Sequence, residues 1–255
     1  MKLIFSFSTH ISDYGGGRYT VNDRTDHVLK LYKISMERAK KFGHEIKFYG
    51  CNYSIDFLKG SYDSFVNVET IPLDITDDLK VYIHTKEKAG AVTIDGDIIL
   101  DSKLKINKSS DIVFDREEKI KYDSRWQQIP IVLDALKKYN VEKYIDYFSL
   151  NEDYFYNVGI LYFKNETIKN IFIENWYKFK KWYMTEIEPK EKLIPKGIIV
   201  STAITQYYFK NICDKLNIKP DFASYNQENN YEHYLGHAKF DDKIFDIINP
   251  DKSFI

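Results

Sequence analysis

Cysteine is nearly missing from this chain: its 255 residues contain two, Cys51 and Cys213. Thiols so far apart make neither a disulfide framework nor a metal knuckle, and they read as reduced, buried side chains of a cytoplasmic protein. An excess of charge is missing too. The 37 Lys and Arg face 38 Asp and Glu, for a formal net charge of −1, whereas binding nucleic acid through counterion release calls for a strong basic excess. No run approaches the length of a membrane span, and the apolar stretch 3–7 is too short for a signal-peptide core. A basic amphipathic C-terminal helix for membrane docking is absent, as are internal repeats and low-complexity tracts. Gly15-Gly16-Gly17-Arg18 has neither the Walker spacing nor the dinucleotide fingerprint and reads as a flexible loop.

What is present is an ordinary globular balance, 44% hydrophobic and 29% charged, with an aromatic share of 16%. The 21 Tyr and 17 Phe fit two explanations, an AT-rich genome or ring platforms for nucleobases and sugar faces. The length suits a single domain over 1–255 that buries roughly 70–75% of its unfolded surface. Strand and helix patterns alternate as in a single-domain α/β fold with a mostly parallel sheet flanked by helices. Strands are expected at 2–8, 45–50, 65–71, 91–94, 111–115 and 154–163, the last interrupted by Asn157-Val158-Gly159. Helices are expected at 28–42 with Gly43 as the stop, 80–89, 126–139 with Pro130 in the first turn, 168–183 and 200–211; the polar stretch 185–197, with Pro189 and Pro195, reads as a mobile loop.

Asp95-Gly96-Asp97 is the sharpest feature. Two carboxylates two residues apart, at the end of an apolar strand, can both reach a hard cation, and Gly96 would leave space for a diphosphate to come close. Ligands bind at the carboxyl ends of strands in open α/β sheets. The competing reading is a solvated turn, since Asp and Gly are common there. The second feature, His233-Tyr234-Leu235-Gly236-His237-Ala238-Lys239, has the pattern His-x-x-Gly-x-x-Lys. A neutral imidazole can complete the shell of an ion such as Mn²⁺, Gly236 lets a loop pass near phosphate, and Lys239 offers a cation to a leaving diphosphate. Both histidines could equally be surface or core groups.

In this order, Asp-x-Asp, then Asn157-Val158-Gly159, then His-x-x-Gly-x-x-Lys, the chain resembles the retaining glycosyltransferases of the glycogenin and bacterial lipopolysaccharide galactosyltransferase family, which have the so-called A-type fold. The resemblance covers most of the chain by order of elements and is specific only at these short motifs. It implies a metal-dependent enzyme that takes a sugar from a nucleotide-sugar, UDP being the carrier, and passes it to a carbohydrate or glycoconjugate acceptor. It implies Mn²⁺ (or Mg²⁺) on Asp95, Asp97 and His233, donor phosphate on Lys239, and a sugar and acceptor pocket at Asn157-Val158-Gly159. Thr205-Gln206 resembles the family's Asp-Gln pair, whose Gln lies beside the anomeric carbon; here the Asp is Thr205. The family's acidic residue before Asn-x-Gly is displaced to Glu152 or Asp153.

Asp153 could instead act as base or nucleophile. The donor's base and ribose are expected along Ser8, Thr9 and Tyr14, and Lys86 and Lys88 could reach sugar or phosphate or simply line a solvated helix face. Trp126, Trp176 and Trp182 are candidates for stacking on acceptor sugars, with core packing the alternative for Trp176. Three rivals stand beside this reading. A haloacid-dehalogenase-type phosphohydrolase would carry its Asp-x-Asp after the first strand, a nucleotidyltransferase would use the same metal to attack phosphorus, and a non-catalytic relative would only bind sugar.

Overall fold

The computed structural model describes residues 1–7, 23–69, 79–120, 129–145, 153–193 and 200–233. Ser8, Thr9, Tyr14, the Gly15–Arg18 loop, Trp126, Glu152, Gly236, His237 and Lys239 lie outside them. The described chain forms β1 (Lys2–Phe7), α1 (Asp23–Lys41), β2 (Glu45–Gly50), α2 (Asn52–Phe57), β3 (Ser64–Asn67), α3 (Leu79–Lys86), β4 (Val92–Ile94) and β5 (Ile98–Leu100). It continues with β6 (Ile112–Lys119), α4 (Ile129–Lys138), β7 (Tyr154–Phe163), α5 (Glu166–Trp182), α6 (Glu188–Glu191), α7 (Val200–Lys215), β8 (Asp221–Phe222) and β9 (Tyr231–His233).

Seven strands make one sheet in the order β3-β2-β1-β4-β7-β6-β8. The pairs β3–β2, β2–β1, β1–β4 and β6–β8 are parallel, and only β7 runs against its neighbours. This is the expected mostly parallel α/β sheet. Its strands read as apolar runs because helices cover both faces. In β1, Leu3, Phe5 and Phe7 face Val28, Leu29, Met36 and Ala39 of α1, while Ile4 faces Leu79 and Ile83 of α3. In β7, Ile160 and Tyr162 join the α1 side, and Leu161 and Phe163 pack under α5 and α7 with Phe172, Trp176 and Phe209. Trp176 is therefore a core residue, 1% exposed, its indole N–H donating to Thr205 Oγ1 at 3.0 Å.

Gly43 ends α1 as expected, at φ 76°, and Pro130 falls in the first turn of α4. Two expectations change. The segment read as a loop from 185 begins as helix: α5 runs on through a π turn at Tyr183–Ile187 into α6, with Pro189 tolerated in the first turn of α6 where its missing N–H costs no bond. Tyr183 and Ile187, both fully buried, hold this continuation against the core. And β7 is continuous, not interrupted. What breaks at Asn157-Val158-Gly159 is the pairing with β6: Phe114 faces Leu161 and Arg116 faces Asn157, so three residues of β7 oppose Asp115 alone. Such bulges re-aim side chains.

The ring of Phe209 meets those of Phe114, Phe163 and Phe172 with centroids 5.3–6.4 Å apart. Phe209→Ala is expected to cost about 3–5 kcal/mol, measured by denaturant unfolding.

Candidate functional site

The site is built where β4 ends. The Asp95 amide donates to Gly159 O at 2.8 Å, tying the turn to the bulge of β7, and the Ile98 amide closes the turn on Asp95 O at 3.2 Å. One face of α1 holds the turn from the other side. Tyr32, Ser35 and Arg38 are spaced three apart, so they share a face. The Tyr32 ring covers Gly96, Ser35 Oγ donates to Ile98 O at 2.5 Å, and Arg38 lies 3.6 Å from Asp101. A Cβ at Gly96 would sit 2.2 Å from Tyr32 ring carbons. The glycine is thus required by Tyr32, and the room expected there for a diphosphate is filled by that ring.

Immediately after Asp97 the chain enters β5, which pairs antiparallel with β9 as a separate two-stranded ribbon, Ile98 opposite His233. This register brings the distant histidine to the two aspartates. His233 Nε2 is 3.2 Å from Asp97 Oδ1 and 3.9 Å from Asp95 Oδ2. One donor atom from each of the three residues falls within 4.8 Å of the others. Two carboxylates and an imidazole suit a divalent ion that accepts mixed oxygen and nitrogen ligands, so the residues fit the ion expected of them.

Behind the histidine stands Asp115, which sequence reasoning treated only as the end of a strand. It is fully buried. Its carboxylate accepts from His233 Nδ1 at 2.7 Å, Tyr231 OH at 2.5 Å and Arg116 Nε at 2.9 Å. The available signal was an acid closing an apolar run in Asp111–Asp115, a pattern with many structural causes. On the ring's other side Gly159 leaves the necessary gap, since a Cβ there would meet His233 Cε1 at 2.5 Å.

Lys80 is the second residue missed. Its Nζ lies 2.6 Å from Asp95 Oδ1 and donates to Val158 O at 2.6 Å. In a strand–helix–strand crossover the helix starts beside the carboxyl ends of the strands, so the first turn of α3 reaches the site. Lys86 sits roughly 9 Å further down the helix, exposed, with Nζ 5.2 Å from the Tyr82 ring centre, and Lys88 is exposed as well.

Asn157 is brought beside the cluster, yet both ends of its amide brace the bulge: Oδ1 accepts from the Gly159 amide at 2.7 Å and Nδ2 donates to Glu118 Oε1 at 2.8 Å. Asp153 is not brought there. It is exposed at the start of β7, roughly 20 Å of strand from Gly159 at the usual rise per residue. Gln206 is half-buried on α7, and the neighbouring Thr205 is fully buried against Trp176. Beside His233 an open polar cavity of about 380 Å³ is lined by Arg116, Ser224, Asn229, Asn230, Tyr231 and Glu232.

Burial pulls the His233 pKa down, but hydrogen bonds to Asp115 and Asp97 and the charges of both aspartates outweigh it and push the imidazole up to about 9. Burial would raise Asp115, yet His233, Tyr231 and Arg116 hold it below the usual carboxylate range. Asp95 is raised, first by burial and further by Asp97, with Lys80 and His233 acting against the shift. For His233 the folded value lies above the unfolded 6.5. Its contribution is therefore complete below pH 6.5 and lost as pH rises through about 9. Metal-free protein should lose a few kcal/mol over that window beyond what His233→Gln loses, read as denaturation midpoints across pH.

No family model matches the chain, and no curated protein matches it. Among solved structures it is similar to mouse xyloside xylosyltransferase 1 in its apo form, at 11% identity over 87% of this chain and 85% of that one, with a TM-score of 0.45. It is also similar to the galactosyltransferase LgtC in complex with donor and acceptor sugar analogs, at 12% identity over 87% and 73% of the two chains, TM-score 0.37. A third is the apo bifunctional glycosyltransferase WbbM, at 10% identity over 87% of this chain and 38% of that one, TM-score 0.35.

Proposed function

We propose that the chain is a metal-dependent glycosyltransferase that moves a sugar from a nucleotide-sugar, UDP being the carrier, to a carbohydrate or glycoconjugate acceptor. The observation that carries this reading is the convergence of Asp95, Asp97 and His233, with donor atoms within 4.8 Å, at the carboxyl end of β4, where an open α/β sheet binds ligands. A solvated turn would not need a buried histidine delivered by a separate ribbon, nor a carboxylate buried behind it.

Asp95, Asp97 and His233 would hold the ion, Mn²⁺ or Mg²⁺. When bound, it would act as a Lewis acid toward the negative charge that develops on the departing diphosphate. The chain's own groups orient and balance this site. Lys80 pins Asp95 and offsets one of the site's two carboxylate charges, the Tyr32 ring keeps the Asp95–Asp97 turn in one shape, and Asn157 with Gly159 sets the bulge against which His233 rests. We assign donor-phosphate contacts to Gly236 and Lys239, and base and ribose contacts to Ser8, Thr9 and Tyr14. Gln206 takes the place beside the anomeric carbon. We assign retention of configuration together with Gln206, whose amide can steady an oxocarbenium-like centre without a change of protonation, as the resemblance to the retaining family implies. Among the described residues no helix is long and apolar enough to cross a membrane, and we place the reaction in the cytoplasm.

The test is a melting-temperature screen of nucleotide-sugars with and without Mn²⁺, followed by an assay of UDP release into water. One UDP-sugar should raise the melting temperature only with Mn²⁺, EDTA should reverse the shift, and Asp97→Ala should abolish UDP release. No shift with any nucleotide-sugar would sink the proposal, and pyrophosphate release from a sugar phosphate plus a nucleoside triphosphate would replace it with nucleotidyl transfer.

A further inference from the structure

Building on the metal site proposed above, we infer that Asp115 is its positioning residue, the group that makes His233 a ligand by presenting Nε2 to Asp95 and Asp97. An imidazole can offer either nitrogen to an ion, and which one it offers depends on what the other nitrogen binds. Here Nδ1 is engaged at 2.7 Å by a carboxylate that is itself fully buried. The ring cannot readily flip or tilt, because the Gly159 backbone closes one side so tightly that a Cβ would fall 2.5 Å from Cε1. Nε2 is left facing Asp97 Oδ1 at 3.2 Å.

Asp115 is in turn fixed from two directions. Tyr231 approaches from β9, two residues before His233 and so on the same side of the strand, and donates at 2.5 Å. Arg116 approaches from β6 and donates through Nε at 2.9 Å. With these two donors in place the carboxylate has one orientation, and it passes that orientation to the imidazole. It touches no donor atom of the proposed ion site except through His233. A carboxylate behind a metal-bound histidine sets both ring orientation and ligand basicity, and its loss commonly weakens metal binding by about 10–100-fold.

A merely structural Asp115, tying β6 to β9, would look similar in a stability measurement, so the experiment measures coupling. Mn²⁺ is titrated against the wild-type chain, Asp115→Asn, Tyr231→Phe, His233→Ala and Asp115→Asn/His233→Ala, with free Mn²⁺ followed by electron paramagnetic resonance and folding by circular dichroism. Asp115→Asn is expected to weaken Mn²⁺ about 10–100-fold in the wild-type background and to have no further effect where His233 is already Ala. Tyr231→Phe, which leaves the carboxylate in place, is expected to give a smaller loss in the same direction, and it carries the test if Asp115→Asn does not fold. Wild-type affinity in both single variants, or an equal loss with and without His233, overturns the assignment. Failure of the wild-type chain to bind Mn²⁺ overturns the metal site itself, whatever Asp115 does.

Discussion

A carboxylate with no access to water is among the most costly groups a fold can hold, unless donors replace the hydration it loses. Asp115 is that group here, and the neighbourhood of the candidate site is arranged around it. Three donors meet it, from the adjacent Arg116 on β6 and from two residues of β9. Because His233 is one of the three, satisfying the buried charge and aiming the histidine are a single interaction. The bulge in β7 belongs to the same arrangement, since it sets three residues opposite Asp115 and places Gly159 against the ring.

The aspartate half of the site depends on different contacts. Tyr32, Ser35 and Arg38 lie along α1 and reach the turn and the strand after it, and Lys80 reaches Asp95 from the start of α3. The turn is thus set by helices on opposite faces of the sheet, and the histidine by β6, β9 and the bulge of β7. The two halves meet across the β5–β9 ribbon, where Ile98 pairs with His233.

Much of this was legible in the sequence. The apolar run in Lys2–Phe7 announced a buried strand, because parallel strands covered on both faces are near-continuously apolar. Asp95, Asp97 and His233 could be named because short motifs in a particular order resemble those of a known family, and their donor atoms do fall within 4.8 Å of one another. What sequence did not show depends on register and direction. Asp115 matters only because β6 runs beside β7 and faces β9, and nothing local distinguishes it from an acid at a strand end. Lys86 is closer in sequence to the motif, whereas the direction of α3 carries Lys80 to the site. Polarity, Pro189 and Pro195 make the segment from 185 look like a loop, yet a proline in a first turn is compatible with helix, and buried Tyr183 and Ile187 favour continuation.

The pairing of β9 with β5 has a consequence for how the site can fail. Three residues carry a proposed ion ligand, His233, and the group that steadies its brace, Tyr231. If the ribbon opens, both leave together, and Asp115 is at the same moment left without two of its three donors. A half-assembled site with the histidine present but misaimed would therefore be an expensive state, which disfavours anything between a docked ribbon and one wholly away. The three residues would then act as a latch with two positions, and an ion held between Asp95, Asp97 and His233 would be what keeps it closed.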